Sequence, residues 1–198
     1  MRKIPFVLLL VVPLVPSSAW RILYAEQYYR LYHLHFYQSP DDSMENIYYL
    51  ENALKADFCN PLYALARIEH KTEAERYRNL FRMHVNLKLI EQYLILGSKY
   101  DKMRAYYYNA PWKQANIDSL GIAEKVYLVA LQYWQEARRW SAVAWMARSV
   151  HLEDIQNWED ENYRIETGDL DYADIIEAHL QRLRKVRAKF EQMDASTF

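Results

Sequence analysis

Glycine and proline are nearly absent beyond the first 19 residues of this chain. Gly97, Gly121 and Gly168, with Pro40, Pro61 and Pro111, are the only ones in about 180 residues. Sheets need tight turns, and tight turns are built mostly from these two residue types, which argues against a many-stranded fold. The long intervals between them carry apolar residues at spacings of three and four, the pattern of helices with one buried stripe. The expected class is all-α, with antiparallel helix pairs joined by short turns and stacked on one another.

The spacing predicts helices over 20–38, 40–57, 61–70, 73–96, 99–108, 118–140 and 141–152, with a last one running from about 171 to 193. The first would bury Leu23, Tyr24, Tyr28, Leu31 and Leu34 or His35. Ser39-Pro40-Asp41-Asp42 stops it and starts the next, since serine caps, proline suits a first helical position and acids favour the positive end of a helix dipole. Thr72 with Glu75 fits a capping box. Gly97-Ser98 is expected to end the fourth helix, and Ser141 to cap a new one. Residues 109–112 separate possible halves 20–109 and 110–198. Residues 153–161 place five acids around Trp158 and read as a loop or frayed end. Thr167-Gly168-Asp169-Leu170-Asp171 is a turn, and the helix after it would face inward with Tyr172, Ile175, Ile176, Leu180, Leu183, Val186 or Arg187, Phe190 and Met193.

The N-terminus has Arg2 and Lys3, an apolar run from Ile4 to Val15, then Pro16-Ser17-Ser18-Ala19. This is the pattern of a secretory signal peptide over 1–19, cleaved after Ala19, which would export the domain 20–198, most plainly to a periplasm. The alternative is an uncleaved anchor over residues 4–20. The apolar run is shorter than the ~20 residues a spanning helix needs. The whole chain has a formal charge of −1, and a near-neutral balance argues against a nucleic-acid partner. Cys59 is the single cysteine, so no internal disulfide can form, and it reads as a small buried residue at a helix junction.

Residues 53–68, ALKADFCNPLYALARI, contain an Ala-Leu pair followed by an Asn-Pro step. Trp140, Val143, Ala147 and Val150 follow a 3, 4, 3 spacing, and Ala53 and Val150 stand nearly three periods of about 34 residues apart. In these features the chain resembles tetratricopeptide-repeat proteins, with 127–150 as its fullest unit. It departs from their pattern at Phe58, where the family has proline, and at Asn46 and Val143, where it has a small alanine. The resemblance implies a short right-handed solenoid without an active site, whose concave side grips a partner protein. An exported, tyrosine-rich, cysteine-poor helical repeat is also similar to the periplasmic proteins that scaffold spirochaete flagellar motors.

No catalytic signature stands out. His33 and His35 point about 200° apart on a helix and cannot share an ion. There is no His-Glu-x-x-His motif, no Gly-x-Ser-x-Gly elbow and no glycine-rich phosphate loop. Glu136 is the one acid in an aromatic neighbourhood, between Trp134 and Trp140. No cofactor is expected.

The aromatic and basic clusters supply the candidate surfaces. Tyr106, Tyr107 and Tyr108 are consecutive and cannot all face one core, so with Trp112 they mark a contact surface. The last helix carries Arg182, Arg184, Lys185, Arg187 and Lys189, a docking stripe for an acidic partner or a membrane headgroup. The expected partner-facing residues are therefore Tyr106, Tyr107, Trp112, Arg182, Arg184 and Lys185. The expected function is an exported interaction or scaffold module without catalysis, bound to a cell-envelope protein. The alternative is a binding protein holding a small apolar ligand or peptide in an aromatic pocket of Trp134, Trp140 and Trp145.

Overall fold

The computed structural model describes residues 21–101 and 110–194. Every regular element in them is helical: α1 (Ala25–Gln38), α2 (Ser43–Lys55), α3 (Lys71–Tyr100), α4 (Lys113–Trp145), α5 (Gln156–Thr167) and α6 (Tyr172–Gln192). Short 3₁₀ turns at Pro61–Tyr63, Ala110–Trp112 and Glu153–Ile155 join them. The expected signal segment 1–19 and Tyr106 and Tyr107 lie outside the described residues.

α3 and α4 form a long antiparallel hairpin at the centre. Tyr93 stacks on Tyr133 at 5.4 Å, and near the other end Arg76 Nη1 donates to the Ala144 carbonyl at 2.8 Å. The α1–α2 hairpin covers one side of α3, α5 crosses both long helices, and α6 runs antiparallel along α4. The α4–α6 register is set by Lys113, whose Nζ donates to the Glu191 and Met193 carbonyls, by Arg187 with Glu124, and by Tyr172 against Trp134. Seven of the eight residues from 83 to 90 are buried, Lys88 being the half-buried exception. A helix apolar on most of its circumference belongs in the interior.

Several expected boundaries move. Residues 127–150 form no helix–turn–helix unit, because α4 continues through Ser141 to Trp145. The Ser141 hydroxyl is not free to cap: it donates to Glu166 at 2.6 Å and accepts from Asn162 Nδ2 at 2.8 Å, fully buried where α5 crosses. Residues 61–70 make only one 3₁₀ turn. Their amides go to side chains instead, Leu65 N to the Tyr77 hydroxyl and Arg67 N to Asp154 Oδ2. The helix start expected at Thr72 lies at Lys71, where Glu73, not Glu75, takes the Glu69 and His70 amides. The acidic stretch 153–161 is ordered into α5, with Trp158 and Glu159 buried.

The buried stripe of α1 is Ala25, Tyr29 and Tyr32, with Phe36 partly buried, one residue out of phase with the expected one, so Leu23, Tyr24 and Leu34 are exposed. Ala25 sits at a close approach where its amide donates to the Asp57 carbonyl at 2.8 Å. The last turn and helix agree with the sequence. Gly168 adopts φ 83°, Asp171 caps α6 through the Ala173 amide, and the stripe from Ile176 through Val186 to Met193 is buried, whereas Ile175, expected inside, is exposed because Ile176 takes the inward position.

Gly97 does not end its helix. It lies inside α3 because the Tyr127 ring rests on it, and a β-carbon there would fall 2.3 Å from Tyr127 Cε1. Alanine would gain helix propensity worth about 1 kcal/mol, but overpacking costs about 1–3 kcal/mol. Gly97→Ala is therefore expected to lower the thermal midpoint in a calorimetric scan. A raised midpoint would show that the ring yields without cost.

Candidate functional site

The interior is held by polar contacts that radiate from α3. Arg76 is 3 % exposed, bonds Glu159 through Nε and Nη2 at 3.2 and 3.1 Å, and also caps the α4 carbonyl named above. His84 is 2 % exposed, lies 2.6 Å from the Tyr29 hydroxyl through Nε2 and 2.5 Å from Glu161 through Nδ1, and stacks on Trp158. Gln92 accepts from Asn46 at 3.2 Å, and Asn46 in turn meets His35. Asp101, fully buried, receives the Tyr127 hydroxyl and Arg182.

Burial pulls the His84 imidazole below its usual range, outweighing the opposing pull of Glu161, so the ring is held neutral. Tyr29 is pushed well up, chiefly by burial and then by Glu161. Tyr29, His84 and Glu161 make a linked relay, but Tyr29 and His84 lie in the closed core, which makes the relay a tie between α1, α3 and α5. Cys59 is buried, with its thiol pushed up to about 11 by burial and by Glu26. Among the described residues no three or more His, Cys, Asp or Glu are placed to hold a metal ion.

The expected site residues are dispersed. Trp134 is buried on α4 against Tyr172, with its Nε1 lacking a partner. Trp140 lies under Arg82 at 4.5 Å and Arg139 at 4.8 Å. Trp145 meets Tyr163 and Arg148. No two of these three rings touch. Trp134 does line a surface cleft of about 560 Å³, between α4, α5 and α6, with Leu131, Ile165, Arg138 and Arg139. Glu136 pairs with Arg139 at 3.2 Å.

On α6, Arg182 turns inward to Asp101, Arg184 pairs with Glu177 at 3.1 Å, and Arg187 pairs with Glu124 at 2.9 Å. Lys185 and Lys189 are exposed. Trp112 is 58 % exposed, beside Lys113 and so near the C-terminal end of α6.

Two features were not singled out from the sequence. One is a set of large exposed side chains on α1 and α2: Leu34, Tyr37, Met44 and Tyr48. Their signal was present in the pattern, since Tyr37, Met44 and Tyr48 fall off any inward stripe. The other is a cationic aromatic row on the far side of α3, made by Arg78, Phe58, Arg82, Trp140 and Arg139. Only Arg78 and Arg82, one helical turn apart, could have hinted at it.

These elements define an all-helical protein with a polar-pinned central hairpin. The chain belongs to the family described as a domain of unknown function, DUF8513, whose profile matches residues 72–193, from the first turn of α3 to just past the end of α6. No curated protein and no solved structure matches the chain.

The neutral His84 gives a pH test. Its folded value lies below the ordinary histidine value of 6.5, so the unfolded chain takes up the proton first as pH falls. Stability contributed by this ring is present above about pH 6.5 and declines below it, by at most about 1.4 kcal/mol per pH unit. Urea midpoints measured between about pH 7.5 and about pH 5 should fall toward acid, and less steeply in His84→Gln. An identical slope in that variant would exclude His84 as the cause.

Proposed function

We propose that this protein is an exported interaction or scaffold module of the cell envelope, a helical stack of the tetratricopeptide-like kind that acts without catalysis. The observation that carries the reading is the outer side of α1 and α2. Tyr37 is 88 % exposed and Met44 64 %, with Leu34 and Tyr48 each more than half exposed. These four large side chains belong to two helices that pack as one hairpin, and exposed apolar side chains gathered on one face mark association sites. Tyrosine and methionine suit the role, because they supply broad contact area at low ordering cost or adapt to a partner's shape.

A second contact region follows from Trp112 with Arg184 and Lys185, flanked in the sequence by Tyr106 and Tyr107. Arg182 belongs to this region by sequence, and its bond to Asp101 makes it a brace for α6.

A photo-crosslinking residue placed at Tyr37 or Tyr48 in the living cell should give discrete protein adducts. The same residue at Arg164, an exposed position on α5, should give none. Adducts confined to Trp112 would move the interface to the α6 end. Absence of adducts at all these positions, with the protein correctly exported, would defeat the scaffold reading.

A further inference from the structure

Arginine and aromatic side chains alternate in one unbroken row from the 58 loop across α3 to α4. The Arg78 guanidinium carbon lies 5.6 Å from the centroid of the Phe58 ring, and that of Arg82 lies 5.2 Å from the same ring. Arg82 is also 4.5 Å from the Trp140 ring, and Arg139 is 4.8 Å from it on the other link. Because each ring touches two cations, neighbouring guanidiniums can be no further apart than the two distances that join them. Cation–π contacts are individually worth about 0.5–1 kcal/mol where exposed, rising to about 2 where desolvated. Four of them sharing five side chains fix three arginines in one arrangement.

That arrangement is under-compensated. Among the described residues Arg78 and Arg82 make no ion pair, and none of their guanidinium nitrogens donates a hydrogen bond. Arg139 alone has an acid, Glu136, on its own helix. Burial first, and then the like charges of Arg78 and Arg139, pull Arg82 below its ordinary value. Arg138, exposed, adds a fourth guanidinium next along α4, at the rim of the cleft it shares with Arg139. Folding alone does not ask for this. A protein that needed only to cover Phe58 and Trp140 could have used aliphatic chains, and the repulsion between neighbouring guanidiniums is offset only by the rings and by Glu136.

We propose that Arg78, Arg82 and Arg139, held in register by Phe58 and Trp140, form a binding site for a phosphate group. The rings cover guanidinium surface and leave edge N–H donors unspent. Planar forks of such donors match the paired oxygens of phosphate, and stacking on rings preorganises them at low entropic cost. Three cations in one row against one acid suit a group carrying close to two negative charges better than a single carboxylate. The same chemistry is offered by a soluble phosphate ester and by a lipid headgroup, and the site recognises what they share. The row stands apart from the exposed residues of α1 and α2 and from Trp112, so it does not depend on the scaffold reading.

The test is a titration of the whole protein with inorganic pyrophosphate, followed by calorimetry, beside co-sedimentation with phosphatidylcholine vesicles made with and without phosphatidylglycerol. Binding of pyrophosphate should weaken at least tenfold in Arg78→Gln/Arg82→Gln. Arg82→Lys, which keeps the charge and loses the fork and the stacking, should fall between wild type and the double variant. Pyrophosphate binding without vesicle binding identifies a soluble phosphate as the source. Vesicle binding that requires phosphatidylglycerol and is displaced by pyrophosphate identifies a headgroup. Far-ultraviolet circular dichroism and the thermal midpoint report whether each variant is folded. The proposal is overturned if wild type takes up neither probe beyond chloride at equal ionic strength, or if a folded double variant binds as wild type does.

Discussion

Burying α3 on nearly every side is the constraint from which the rest of this fold follows. The helix carries polar residues around its circumference, and each one inside the protein must find a partner or cost about 1–3 kcal/mol. The partners come from different directions. Arg76 takes Glu159 of α5 and a carbonyl of α4, His84 takes Tyr29 of α1 and Glu161 of α5, and Gln92 takes Asn46 of α2. Asp101, just past its end, takes Tyr127 of α4 and Arg182 of α6. Apolar packing would let these helices slide and rotate about α3. The polar contacts fix which residue of each helix faces which residue of the centre, because a slip by one turn would strand a buried charge, at several kcal/mol each.

Tyrosine is how this chain meets that demand without disulfides. The hydroxyls of Tyr93 and Tyr133 both reach Glu51, that of Tyr77 reaches Glu26, and that of Tyr172 reaches Glu91. Burial alone would raise the Glu51 carboxyl, but the Tyr133 and Tyr93 hydroxyls and Lys55 outweigh it and hold it below its usual range. A phenol can bury a ring and still deliver a donor to a carboxylate at its tip, which an aliphatic residue cannot do. The abundance of tyrosine, 18 in the chain, is thus first a feature of the interior. Exposed members such as Tyr37, Tyr48 and Tyr63 are the ones the interior does not use.

The class of fold was legible because it rests on local chemistry: too few turn residues for a sheet, and three-four spacing nearly everywhere. The last turn and helix were legible for the same reason, since Gly168 and Asp171 act within their own few residues. What failed were places where a distant residue decides. Ser141 looks like a cap until Asn162 and Glu166 claim its hydroxyl, and Gly97 looks like a stop until the Tyr127 ring needs its missing side chain. Residues 61–70 have helical spacing, but the Tyr77 hydroxyl and the Asp154 carboxylate take two of their amides and hold the chain extended. On α1 two stripes one residue apart satisfied the same periodicity, and only the close contact at Ala25 separates them.

The same distinction separates the charges. Five cations within eight residues of α6 form a conspicuous stripe in the sequence, yet Arg182, Arg184 and Arg187 each meet an acid in the folded protein, so much of the stripe is spent on holding α6 in place. Arg78, Arg82 and Arg139 look unremarkable in the sequence, the third standing some sixty residues from the first two. The antiparallel α3–α4 hairpin brings them together, and Phe58 and Trp140 keep them there. Positive charge that folding neutralises is structure. Charge that folding assembles and leaves under-compensated is where a ligand's negative charge would return the most free energy, and in this protein that place lies on the outer side of the central hairpin.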